Sequence, residues 1–125
     1  MNILISEYNN DKFYSINQII RKHFPDVTIK RRKTVIDTFK MIDNPDLDLI
    51  IQDMQMPIRS GEDIVSNAGL QCAKSIRLRS TVPIAICSSD SSVGIDVAPD
   101  FDFIHYNVLL LELFEKDLLE YLDDV

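Results

Sequence analysis

Leu47-Asp48-Leu49-Ile50-Ile51-Gln52-Asp53-Met54-Gln55-Met56-Pro57 is the stretch on which the fold of this chain turns. Leu47, Leu49, Ile50 and Ile51 make a strongly apolar run with little polar alternation, the pattern of a strand covered on both faces in a parallel sheet. The run ends in a carboxylate, Asp53, followed by Met56-Pro57. Taken alone, an aspartate in this position serves as well for a helix cap or a solvent-facing turn as for chemistry.

Outward from this strand, β-branched runs alternate with helically periodic ones. Ile3, Leu4 and Ile5 make a short buried strand, and Phe13, Ile16, Ile20 and Phe24 then recur at helical spacing, predicting an amphipathic helix over residues 11–24 that Pro25 stops. Residues 26–30 are expected to form a second strand. Val35, Ile36, Phe39 and Ile42 form another helical stripe ending at Asn44-Pro45, and residues 69–79 a third helix. Strands over 83–87 and 102–106 follow, and Leu111, Phe114, Leu118, Tyr121 and Leu122 close the chain as a helix. The order predicts an α/β fold over residues 1–125, a doubly wound five-stranded parallel sheet in one domain, with its binding crevice at the carboxyl ends of the strands.

The 125 residues carry 13 Lys+Arg against 20 Asp+Glu, a formal net charge of −7, which opposes nonspecific binding to nucleic acid or anionic lipid. The run Lys30, Arg31, Arg32, Lys33 is expected to be a solvated rim. Cys72 and Cys87 are too few and too far apart for a disulfide framework or a metal knuckle, and look like reduced thiols. His23 and His105 lack ligand spacing. No stretch approaches the roughly 20 apolar residues of a membrane span, and there is no signal-peptide layout, so a cytoplasmic protein is expected.

With the strand ends Ser6-Glu7-Tyr8, Gln52-Asp53, Ser88-Ser89-Asp90 and Phe103 to Asn107 converging, the sequence resembles the receiver domain of two-component response regulators over essentially its whole length. Its most specific segment, residues 47–57, resembles the family's phosphoacceptor strand with its trailing Met-Pro. The resemblance implies that Asp53 takes a phosphoryl group from a histidine kinase or a phosphotransfer protein, that Ser88 is the switch hydroxyl, and that Phe103 is the switching aromatic. It also implies a Mg²⁺ ion, for which Glu7, Asp53 and Gln55 are the candidate ligands.

Three departures qualify the match. Tyr8 replaces the second residue of the expected acidic pair, which places metal binding in question, and Tyr106 stands where the family has a lysine. Counting Glu7 and Asp53 alone, the pocket keeps a net charge of about −2. The segment 58–68 is roughly eight residues longer than that loop usually is, and loops of this kind tend to be functional. Ile64 and Val65 are expected to pin it to the surface, and Arg59 to replace part of the missing positive charge. Residues 91–101, with Gly94 and Pro99, predict a shortened fourth helix.

Two functions follow. One is a stand-alone signalling receiver, not an enzyme, whose output passes through a partner protein. The other is a phosphorylation-independent pseudo-receiver that acts as a protein-interaction module. A phosphatase of the haloacid dehalogenase kind wants a second aspartate where Gln55 stands, and the acidic residues after the first strand would repel a flavin phosphate. Leu109, Leu110 and Leu113 lie outside the stripe of the last helix, so a homodimer or partner interface is expected there, against the alternative of a wide core sector.

Overall fold

The computed structural model describes residues 1–97 and 100–125. Five parallel strands, β1 (Asn2–Ser6), β2 (Thr28–Arg32), β3 (Leu49–Asp53), β6 (Ile84–Ser88) and β7 (Asp102–His105), form one sheet in the order β2-β1-β3-β6-β7. Between them run the helices α1 (Asn10–His23), α2 (Val35–Phe39), α3 (Ala68–Arg77) and α4 (Val93–Val97), and α5 (Leu111–Asp124) closes the chain. This is the doubly wound flavodoxin-like receiver fold that the sequence implied, and the strand order reverses between β1 and β3, where such folds open a crevice.

Strand alternation decides what each face holds. Ile3, Ile5, Leu49, Ile51, Ala85 and Cys87 pack against α1 and α5 with Ile16, Ile20, Phe114 and Leu118. Leu4, Ile50, Ile84 and Ile86 pack on the other face with Cys72, Ile76 and Val93. Continuing the same parity past the strand ends sends Glu7 and Asp53 toward α1. Ser6 and Gln52 go to the opposite face, where Ser6 Oγ and Thr38 Oγ1 share a hydrogen bond of 2.7 Å and Gln52 Nε2 donates to Ser6 Oγ at 2.9 Å.

Several expectations are corrected. The second strand lies two residues later than expected, because its half-exposed positions carry little apolar signal and its register against β1 runs from Thr28 to Arg32. Arg31 is no solvated rim: its guanidinium donates to Glu7 O (3.1 Å), Tyr8 O (3.3 Å) and Asn10 Oδ1 (2.9 Å), and lies over the Phe13 ring. The second helix, capped by Thr34 Oγ1 on Asp37 N–H, ends at Phe39 and gives way to turns before Asn44. The long loop is a small antiparallel hairpin of β4 (Met56–Pro57) and β5 (Ile64–Val65), so backbone pairing holds it while both the Ile64 and Val65 side chains stay exposed. The short α4 is described over Val93–Val97; Pro99 of the same segment lies outside the described residues.

In α5 the buried stripe is Phe114, Leu118 and Leu122 with Tyr121 at its edge, and Leu111 falls outside it. Leu109, Leu110 and Leu113 are exposed as well, which removes the wide core sector as their explanation.

Candidate functional site

Asp53 sits at the end of β3 with its side chain 10% exposed, on the wall of an open cavity of about 400 Å³ whose lining includes Glu7, Tyr8, Lys12, Gln55, Ser88 and Tyr106. The strand that delivers it pairs with β1 over residues Leu49 to Gln52 and with β6 over Ile50 to Asp53. Behind it, Gly69 N–H donates to Met54 O at 2.9 Å, and a Cβ on Gly69 would overlap the Asp53 carbonyl oxygen. Only glycine lets the start of α3 approach the strand end so closely.

The group that organises the site is Lys12. Its ammonium lies 2.8 Å from Glu7 Oε1 and 3.2 Å from Asp53 Oδ1, and donates to Cys87 O at 2.6 Å. An ammonium has three N–H donors, and three oxygens lie within 3.2 Å of it here. Burial works against the charge, but Cys87, Glu7 and Asp53 outweigh it and hold the Lys12 pKa above the ordinary lysine value. The Cys87 thiol is itself pushed up to about 12 by burial, so at neutral pH it stays protonated and supplies no charge to the lysine. Asn9 caps α1 by accepting Lys12 N–H at 2.9 Å, which fixes the turn that aims the side chain.

Glu7 is buried, and its Oε2 accepts Asn9 N–H at 3.1 Å. Desolvation pushes its pKa up to about 8 although Lys12 pulls it down. At neutral pH Glu7 is therefore largely protonated beside the Lys12 ammonium, so the cluster does not carry the charge of about −2 expected from two ionised carboxyl groups.

The residue at the family's lysine position has a different task. Tyr106 donates its hydroxyl to Ser15 Oγ on α1 at 3.2 Å, stacks edge-on against Phe114, and carries its ring 5.9 Å from the Lys12 ammonium. It braces the helix that brings the lysine. Arg59 does not supply the missing charge either: it is exposed, its N–H donates to Glu62 Oε1 at 3.0 Å, and its guanidinium stands 4.0 Å from the same carboxylate.

Ser88 lines the cavity while its Oγ accepts Asp90 N–H at 3.1 Å. Gln55 N–H donates to Asp53 Oδ1 at 3.2 Å, with the Gln55 side chain exposed. Phe103 lies on the other face of the sheet, half-buried against α4, where a Cβ on Gly94 would come within 2.9 Å of its ring. It lies outside the cavity lining.

These residues do not fit a Mg²⁺ ion. Glu7 and Asp53 both turn an oxygen to the Lys12 ammonium, Tyr8 supplies no carboxylate, and among the described residues no group of three or more His, Cys, Asp or Glu is placed to hold a metal. Mg²⁺ demands oxygens at about 2.0–2.1 Å in octahedral array, and an ammonium already between the two acids repels it.

Sequence reasoning missed Lys12, yet the signal was there: 12, 16 and 20 share one helical stripe, and Lys12 is buried with Ile16 and Ile20.

The arrangement is that of response-regulator receivers in fold. The structure superposes on the response regulator domain of Thermotoga maritima CheB with a TM-score of 0.76 at 17% identity, covering 99% of this chain and 94% of that one. The phosphorylated cyanobacterial phytochrome response regulator RcpA gives a TM-score of 0.74 at 16% identity, with 95% and 89% covered. The BeF3-activated receiver domain of Klebsiella pneumoniae RstA gives 0.68 at 20% identity, with 94% and 98% covered. No protein-family model matches the sequence, and none of the curated proteins compared with it matches. At these identities the likeness defines the fold: the chain has the CheY-like receiver fold.

Proposed function

We propose that this protein is a signalling receiver in which Asp53 accepts a phosphoryl group from a phosphohistidine donor, a histidine kinase or phosphotransfer protein, and passes the signal on through contact with a partner protein. The observation that carries this reading is the state of the Asp53 carboxylate. It faces an open cavity at the switch point of the sheet, with Lys12 and Gln55 N–H both bonded to Oδ1. That leaves Oδ2 as the attacking oxygen. In-line attack forms the Oδ2–P bond as the N–P bond of the phosphohistidine breaks, its electron pair returning to the imidazole. Lys12 balances charge on the acceptor, and Ser88, on the cavity wall, is the hydroxyl available to a phosphoryl oxygen.

The same observation favours a second reading. A carboxylate already paired with a buried ammonium is a stable end state, as a phosphorylation-independent interaction module would have. Incubation with acetyl phosphate, read by intact mass, separates the two. The receiver gains one phosphoryl mass that Asp53→Asn abolishes, whereas the interaction module gains none.

A further inference from the structure

We infer that the Lys12 ammonium stands in the place of a divalent cation between Glu7 and Asp53, excluding the ion and carrying the positive charge that phosphoryl transfer to Asp53 requires. The second part of this inference rests on the acceptor reading of Asp53; the first does not.

The geometry is that of an internal cation. One nitrogen lies 2.8 Å from Glu7 Oε1, 3.2 Å from Asp53 Oδ1 and 2.6 Å from Cys87 O, so three elements of the sheet converge on it. The lysine is 6% exposed and lies in the buried stripe of α1 with Ile16 and Ile20. Its helix is tied at the same end by the Asn9 cap, by Arg31 bonded to Asn10, and by Tyr106 bonded to Ser15. A divalent cation would have to displace a nitrogen that already has three oxygens within 3.2 Å. A small-molecule phosphoryl donor needs no such displacement: acetyl phosphate loses acetate, which leaves with the electron pair of the broken O–P bond, as Asp53 Oδ2 forms the new O–P bond. The Lys12 charge is already bonded to the neighbouring Oδ1.

Two measurements on the wild-type chain test this. Manganese(II) chloride titration followed by NMR line broadening reads the exclusion without any phosphorylation, and acetyl phosphate labelling in EDTA against labelling in magnesium chloride reads the charge. Expected are no selective broadening around Glu7 and Asp53 and the same labelling rate in both solutions. Selective broadening there, or labelling that needs magnesium, overturns the inference. Absence of labelling in both solutions without broadening upholds the exclusion and refutes the acceptor reading instead. Lys12→Gln, checked for folding by its melting transition, should label more slowly in EDTA by about a hundredfold or more and should admit manganese. An unchanged rate for a folded Lys12→Gln also overturns the inference, and a variant that does not fold leaves the two wild-type measurements decisive.

Discussion

Replacing Glu7 by Gln should stabilise the protein in alkaline solution and not in acid. Glu7 is 1% exposed, and burial raises its pKa from 4.5 to about 8 against the opposing pull of Lys12. Between those two values the folded protein holds a proton on Glu7 that the unfolded chain releases. Stability from this group is therefore complete below about pH 4.5, falls as pH rises, and is lost once the pH has passed about 8. The full difference corresponds to about 5 kcal/mol, a ceiling because the site relaxes when it ionises. Gln keeps the shape of the protonated acid and does not titrate. Hydrogen bonds that the amide weakens, such as the one accepted from Asn9 N–H, add an offset that does not vary with pH. Urea unfolding followed by circular dichroism should show the variant gaining on wild type by up to about 4 kcal/mol between about pH 5 and pH 9. A difference that stays constant across this range would show that Glu7 is charged in the folded protein, and the reasoning about the cluster would fail.

Lys12→Met should cost about 3–5 kcal/mol by urea unfolding, more in alkali than in acid, because it strands Asp53 and the ionised form of Glu7 in a buried site; a cost independent of pH would contradict this. Gly69→Ala should lower stability by about 2 kcal/mol or more and shift the amide resonances of Asp53 and Met54, since the new methyl group meets the Asp53 carbonyl. Unchanged spectra would mean that the start of α3 can move freely. Leu109→Ser and Leu113→Ser should alter the monomer's stability by no more than about 0.5 kcal/mol, both side chains being exposed. If these leucines form an interface between copies, the same changes will lower the sedimentation coefficient at high concentration, and an unchanged value removes the case for self-association.

The sheet was legible in the sequence because its strands are short apolar runs with helices between them. The elements that moved are those whose stabilisation comes from polar contacts. The edge strand β2 is set by its register with β1, and the hairpin of β4 and β5 is joined by backbone bonds that leave Ile64 exposed. At the site, Asp53 was found because a motif surrounds it. Lys12 was overlooked because the position where a lysine was sought, 106, belongs to the strand end, whereas the ammonium arrives from α1. A lysine in phase with Ile16 and Ile20 has to find anions inside, and Glu7 and Asp53 are the carboxylates that the strand parity turns toward that helix. Tyr106 then acquires a physical reason: an aromatic ring beside the ammonium, with its hydroxyl on Ser15.

The central claim, that Asp53 accepts a phosphoryl group beside a built-in ammonium, is tested most directly by trapping the acyl phosphate chemically. Wild-type protein incubated with acetyl phosphate in EDTA, reduced with borohydride and mapped by peptide mass spectrometry, should carry homoserine at residue 53 and nowhere else. Reduction at another carboxylate, or an unreduced Asp53 in the same EDTA solution, would contradict it.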